Sequence, residues 1–155
     1  MPLLRAALSW NFVLATAICA SLLAQLIKVL LNLFIFHRFI AERMWGAGGM
    51  PSSHSATVCA MVVATGRYCG VNSPIFAIAA VLSIIVMYDA MGVRYETGEQ
   101  AKVLNRVFTE WMDQGFEQFQ LPHGKKLKEM VGHTPIEVVT GAALGIVLGF
   151  AMPMV

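Results

Sequence analysis

The sequence predicts an all-α integral membrane protein, a bundle of about four transmembrane helices with one more, amphipathic helix at the membrane interface. Of its 155 residues, 57% are hydrophobic and only 13% are charged, whereas soluble domains usually carry about 25% charged residues. This length allows one compact domain over residues 1–155. No basic stripe is visible, so nucleic acid is not expected as a partner.

The first predicted span runs from Trp10 to Phe36 and is long enough to cross about 30 Å of hydrocarbon. Its polar residues are Asn11, Gln25, Lys28 and Asn32. Lys28 lies about two turns before the end of the span at Phe36, on the predicted cytoplasmic side. A long side chain there can extend its ammonium group to the interface. Asn32 makes the same helix face polar, which favours an inward-facing Lys28.

The other predicted spans are Ser55–Gly66, Ile75–Met91 and Pro135–Val155. Arg67 and the turn residues after it are expected to end the second span. In the last span a glycine recurs at every fourth position, a pattern typical of closely packed membrane helices; these residues are Gly141, Gly145 and Gly149. Cysteines lie within apolar runs without metal-ligand spacing and are interpreted as small buried residues; they are Cys19, Cys59 and Cys69.

A polar segment, residues 92–134, separates the last two spans. Within it, the stretch Gln100–Phe119 has apolar residues at roughly helical spacing, which predicts an amphipathic helix lying at the interface. Four polar residues at and before its start could supply further polar groups to a site or form a solvated face, and we favour the solvated face; they are Glu96, Glu99, Gln100 and Asn105.

The distribution of lysine and arginine predicts the orientation. The loops 37–51 and 92–134 hold eight of these residues, against two, Arg5 and Arg67, at the opposite face. The loops are therefore expected in the cytoplasm, or in the stroma of a plastid. Gly48–Ala56, Asp89–Arg94 and Gly132–Glu137 then all meet at that face, which predicts a single site.

The first of these clusters contains Ser52, Ser53 and His54 at the start of the second span. A serine here can simply cap the helix. The preceding glycine pair, however, lets backbone N–H groups approach an anion, and His54 adds a titratable group. The cluster therefore indicates a phosphate site as well as a cap.

The second cluster pairs His133 with Glu137 at the start of the last span. Thr134 and Glu137 form a capping box, which explains Glu137 structurally. Glu137 can also accept a hydrogen bond from the His133 imidazole N–H, which fixes the tautomer and leaves the other ring nitrogen free to attack. Both interpretations are compatible.

The third cluster is Asp89 and Arg94. The two side chains either form an interfacial ion pair of little energetic value, or Asp89 positions Arg94 on a phosphate. No second carboxylate stands close to Asp89 in the sequence, so no metal and no cofactor are expected.

Three sequence blocks, GGMPSSHSA, YDAMGVR and GHTPIEV, resemble the divergent PAP2 family over roughly residues 24–150. That family is related to the PAP2 superfamily of lipid phosphatases and vanadium haloperoxidases. The resemblance implies that His133 is the nucleophile that forms a phosphohistidine, that Glu137 orients it, and that His54 is the general acid. Ser52 and the Ser53 N–H would bind phosphate.

The chain departs from the superfamily pattern at its cations. The arginine expected six residues before the nucleophile falls on Leu127, which Lys126 and Lys128 flank. Lys128 and Arg94 are the candidate replacements, and Lys28 is a partial counterpart of a superfamily lysine. A lysine does not replace a bidentate arginine equally well.

The expected function is hydrolysis of a phosphomonoester or pyrophosphate of a membrane lipid, for example a phosphatidylglycerophosphate or a prenyl phosphate. The alternatives are a non-catalytic protein that binds anionic lipid headgroups, and a phospholipid transporter, although no internal duplication supports transport. The expected location is a bacterial inner membrane or a plastid membrane, with homo-oligomers as an open question.

Overall fold

The computed structural model describes residues 11–36, 49–114, 126–129 and 131–154, and within these ranges all regular secondary structure is α-helical. There are five described helices: α1 (Phe12–Phe36), α2 (Ser53–Cys69), α3 (Pro74–Met91), α4 (Val93–Asp113) and α5 (Pro135–Ala151). The predicted all-α class is confirmed. Trp10, Val155 and most of the loop 37–51 lie outside the described residues.

Two of these helices are long and apolar enough to cross a membrane: the first over Phe12–Phe34, and the continuous helical stretch Pro74–Asp113 through its apolar part. Helix α5 is also apolar, but it has only 17 residues. The number of four spans therefore stays a prediction.

Helix α2 is longer at both ends than predicted. It begins at Ser53 because Ser52 is its N-cap, and it continues to Cys69, where Gly70 takes a positive φ of 83° and ends it. Arg67 does not end the helix, since its guanidinium Nη1 donates to the carbonyl oxygens of Gly149 and Met152 at 2.6 and 2.8 Å. It thereby satisfies carbonyl groups at the end of α5. Cys69 is exposed, contrary to the expectation that all cysteines are buried.

Helix α4 begins at Val93, seven residues before the predicted start, and only Gly92 separates it from α3. Its predicted final residues, 115–119, lie outside the described ranges. The amphipathic pattern is present, since several apolar side chains of the helix are well exposed, among them Val103, Leu104 and Met112. Asn105, by contrast, is buried.

Helix α2 is at the centre of the bundle and packs against α1, α3 and α5. Alanines fill the core between α1 and α2, and Leu144 and Leu148 of α5 pack against them; the alanines are Ala20, Ala24, Ala56 and Ala60. Large apolar side chains point outwards instead, for example Leu22, which is 65% exposed, and Phe34, which is 72% exposed.

The glycine stripe of α5 brings this helix against α2 at backbone distance, as predicted. A Cβ added to Gly141 would collide with the carbonyl oxygen of Ser52, and one added to Gly145 would collide with that of Ala56. All three stripe glycines are buried. The packing holds the first turns of α2 and α5 next to each other, and these turns carry the predicted site residues.

Candidate functional site

A pocket of about 370 Å³ lies where the start of α2, the end of α3, the start of α4 and the segment before α5 meet. Its lining residues are His54, Ile85, Val86, Asp89, Ala90, Arg94, Val131 and His133. The three polar clusters of the sequence, which are far apart along the chain, thus contribute to one pocket.

His133 is placed by its backbone. Its N–H donates to the carbonyl oxygen of Ala90 at 3.0 Å, and Gly132 before it lies so close to Tyr95 that a Cβ would collide with the Tyr95 backbone. The imidazole is 2% exposed. The ring is therefore held at the junction of α3 and α4.

One oxygen of Glu137 serves both roles that the sequence suggested. Glu137 Oε2 lies 3.1 Å from His133 Nδ1 and accepts a hydrogen bond from the Thr134 N–H at 3.0 Å. The backbone of Gly49 also hydrogen-bonds to this carboxylate. A carboxylate only accepts hydrogen bonds, so the proton of neutral His133 belongs on Nδ1.

The other ring nitrogen, Nε2 of His133, is buried and has no hydrogen-bond partner within the described part of the chain. With Nδ1 protonated, Nε2 carries the lone pair. A buried polar atom without a partner is costly, which is consistent with a site that a ligand completes.

His54 stands on the first turn of α2 and is exposed. Its ring centroid is 6.0 Å from that of His133, and the two rings are inclined at 64°. It also interacts electrostatically with Arg94 and Lys28. A buried and an accessible imidazole therefore face the same pocket.

Ser52 and Ser53 are buried but do not line the pocket. Ser52 Oγ accepts hydrogen bonds from the Ser55 N–H and hydroxyl at 3.4 and 3.1 Å, which caps α2. The Ser52 N–H donates to the Glu137 carbonyl oxygen at 2.9 Å and joins α2 to α5. Ser53 Oγ accepts from Gln25 Nε2 at 3.4 Å. In this structure both hydroxyls hold the fold together.

Lys28 faces the protein interior and is 2% exposed. Its methylene chain packs against Gly49, where an added Cβ would lie 3.4 Å from Lys28 Cδ. It interacts electrostatically with Glu137 and His54. Lys28 therefore acts on the site residues through its charge and is not among the pocket-lining residues.

Arg94 is the cation on the pocket wall, and its Nε donates to Asp89 Oδ2. Lys128 is exposed, and its neighbour Leu127 is hydrogen-bonded to Asn105. Asn105 lies eleven residues beyond Arg94 on α4, a rise of about 16 Å. The structure therefore places Arg94, and not Lys128, at the pocket. Among the described residues, no three His, Cys, Asp or Glu side chains group as metal ligands would.

Sequence reasoning missed two parts of the site. One is the apolar wall formed by Ile85, Val86 and Val131, whose side chains carry no signal that distinguishes them from the other apolar residues of the chain. The other is a contact outside the pocket: the Asn105 side chain is hydrogen-bonded to Leu127, which lies 22 residues away in the sequence.

Residues 9–148 of the chain match the Divergent PAP2 family. Over 144 residues the chain is 38% identical to the uncharacterized membrane protein YuiD of Bacillus subtilis (strain 168), an alignment covering 89% of this chain and 91% of that protein. No solved structure matches the chain.

Proposed function

Since the chain belongs to the divergent PAP2 family, we propose that it hydrolyses a phosphate ester or pyrophosphate of a membrane lipid, with His133 as nucleophile. The observation that carries this proposal is the state of the His133 ring. Glu137 holds Nδ1, Nε2 is buried and unpartnered in the described chain, and His133 lines a pocket that His54 also lines.

In the first step, His133 Nε2 attacks phosphorus and the bond from phosphorus to the lipid oxygen breaks. Protonated His54 gives its proton to the departing oxygen, and a phosphohistidine remains. Glu137 stabilises the positive charge that develops on the His133 ring.

In the second step, water attacks the phosphohistidine, and His54, now neutral, accepts a proton from that water. The P–N bond breaks, inorganic phosphate leaves, and His133 and His54 return to their starting states. Because the first step needs neutral His133 and protonated His54 together, the rate should be bell-shaped in pH.

The negative charge of the phosphoryl group would be stabilised by Arg94 and by the N-terminal ends of α2 and α5. Buried Lys28 adds positive charge that acts electrostatically on Glu137 and His54. Catalysis of this kind depends mainly on such preorganised groups.

The apolar wall of the pocket favours a lipid over a sugar phosphate, whose hydroxyl groups would lose hydrogen bonds against Ile85 and Val86. The apolar outer surfaces of α1 and α3, and a relative described as a membrane protein, support a membrane setting. A lipid bearing a phosphomonoester or a pyrophosphate suits this arrangement.

One observation favours a second candidate function, binding of anionic lipid headgroups without catalysis. Arg94 is already paired with Asp89, and Leu127 occupies the position of the superfamily arginine. An arginine whose charge is partly neutralised by a carboxylate stabilises the phosphate of the transition state less than a free, bidentate arginine would.

The test is phosphate release by purified protein from phosphatidylglycerophosphate, a prenyl phosphate, a prenyl pyrophosphate and an aryl phosphate. Wild type should release phosphate from at least one lipid and form an acid-labile phosphoprotein, and His133→Ala should do neither. His54→Ala should lose about 10²–10⁴ in rate on the lipid and less on the aryl phosphate, whose leaving group needs no acid. Lipid binding without phosphate release by wild type would support the binding protein instead.

A further inference from the structure

Asn105, in the middle of α4, is only 5% exposed, although most other side chains of this helix are at least partly exposed. Its side-chain amide is fully engaged with a distant segment. Nδ2 donates to the Leu127 carbonyl oxygen at 2.9 Å and to Glu129 Oε1 at 2.8 Å, and Oδ1 accepts from the Leu127 N–H at 2.8 Å. One side chain thus pairs with both backbone groups of Leu127, as a neighbouring strand would.

Two glycines continue this contact towards the pocket. A Cβ on Gly98 would collide with the Glu129 carbonyl oxygen, and one on Gly132 would collide with the backbone of Tyr95. The segment therefore lies against α4 at backbone distance at both points. It runs antiparallel to the helix, since its residue numbers rise as those of α4 fall.

The lengths leave little slack. Leu127 and Gly132 are five residues apart, which allows at most about 17 Å in extended form. Their partners Asn105 and Tyr95 are ten residues apart on the helix, about 15 Å. With so little slack, a shift of Leu127 at Asn105 would be carried to Gly132, which His133 follows directly.

We infer that Asn105 is a positioning residue for His133: it sets the register of Leu127, Glu129 and Gly132 along α4 and thereby the location of the His133 ring. This inference rests on the proposed role of His133 as nucleophile. Asn105 itself is remote from the pocket and touches neither His133 nor the reacting phosphate.

Removing the amide should affect the chemical step. Without it, both backbone groups of Leu127 lose their partner and the segment can slide. A nucleophile must lie about 3–3.5 Å from phosphorus, and a displacement of about 1 Å can cost about 10²-fold in rate. Substrate binding through Arg94 and the helix ends would stay largely intact.

The experiment compares Asn105→Ala with Gln100→Ala, an exposed polar residue on the same helix. Asn105→Ala should lower kcat and the rate of phosphohistidine formation by about 10–100-fold with KM within about threefold, and Gln100→Ala should match wild type. An unchanged kcat for Asn105→Ala, or a loss confined to KM, would overturn the inference.

A second pair covers the case in which Asn105→Ala does not fold. Asn105→Asp places a second carboxylate within hydrogen-bond distance of Glu129, so the two should repel each other and kcat should fall. In Asn105→Asp combined with Glu129→Gln, the introduced amide can donate to the carboxylate and the repulsion is removed, so kcat should rise above that of Asn105→Asp; the lost hydrogen bond to the Leu127 carbonyl oxygen keeps it below wild type. A double variant that is folded but no more active than Asn105→Asp counts against the positioning role.

Failure of the inference and failure of the proposed function are distinguishable. If wild type forms no phosphohistidine and releases no phosphate from any substrate, the proposed function fails. If wild type and Gln100→Ala are active while folded Asn105 variants keep the wild-type kcat, only the positioning role fails.

Discussion

Glu137 shows how one residue can serve the fold and the proposed chemistry through a single atom. Its Oε2 lies within hydrogen-bond distance of the Thr134 N–H and of His133 Nδ1, and its own carbonyl oxygen accepts from the Ser52 N–H. The carboxylate therefore caps α5, holds the imidazole at Nδ1 and interacts electrostatically with buried Lys28. Its charge matters for the imidazole, whereas its acceptor oxygen matters for the cap.

Glu137→Gln separates these two contributions. An amide oxygen can still accept from Thr134, so the thermal unfolding midpoint in detergent should change little. The negative charge that stabilises the developing imidazolium is lost, and kcat should fall by about 10²–10⁴-fold. Glu137→Ala, which loses the cap as well, should lower both quantities. Wild-type phosphate release by Glu137→Gln would contradict the role assigned to the charge.

The residues of the site were predictable to different degrees. His54, His133 and Glu137 stand at helix starts with local signals, so their positions follow from the sequence pattern. The serines carried the same local signal, yet their hydroxyl groups are consumed by contacts with Ser55 and Gln25. The burial of Asn105 does not follow from the sequence, because nothing near it in the chain reveals a hydrogen-bond partner 22 residues away.

At the scale of elements, the contact between α2 and α5 depends on the absence of side chains. Gly145 and its two companions, four residues before and after it, let the helices approach until an added Cβ would meet α2. Their spacing predicted this correctly. Gly70, one of the turn residues expected to end the second span, does end α2, whereas Arg67 lies inside the helix and donates to carbonyl oxygens at the end of α5.

Gly145→Ala should therefore destabilise the bundle. The new methyl group would collide with the Ala56 carbonyl oxygen, forcing α2 and α5 apart at a cost of about 1–3 kcal/mol in the free energy of unfolding. Val147→Ala on the exposed face of the same helix is the control and should leave stability nearly unchanged. Equal unfolding curves for Gly145→Ala and Val147→Ala would show that the close approach is not needed.

At the scale of the whole molecule, the pocket and the exposed end of α2 lie at opposite ends of that helix. His54 is on its first turn, and Cys69 is its last residue. The bias of eight cations to two predicts that the pocket end faces the cytoplasm or stroma. Cys69 should then face the other side.

Labelling of intact cells by a membrane-impermeant thiol reagent tests this orientation. With Cys19 and Cys59 replaced by alanine, exposed Cys69 should be labelled from outside. In a matched variant that also carries Cys69→Ala and Gln114→Cys, at the exposed end of α4, labelling should require permeabilised cells. The reverse pattern would place the pocket on the outer face.

The glycine contact between α2 and α5 also makes some walls of the pocket stiffer than others. Those two helices touch backbone to backbone, so neither can yield without losing many contacts at once. Helix α3 buries only three small or polar residues, Ala79, Ser83 and Ala90, and meets α2 through soft sulfur contacts of Cys59 at 3.9 and 3.7 Å. Helix α3 would therefore be the wall that moves to admit substrates of different width.

The backbone amides of α3 should then exchange with deuterium faster than those of α2 and α5. Orthovanadate bound in the pocket should slow mainly the exchange of α3. Uniform exchange across the three helices would mean that the pocket is equally stiff on every side and that its width does not adapt to the substrate.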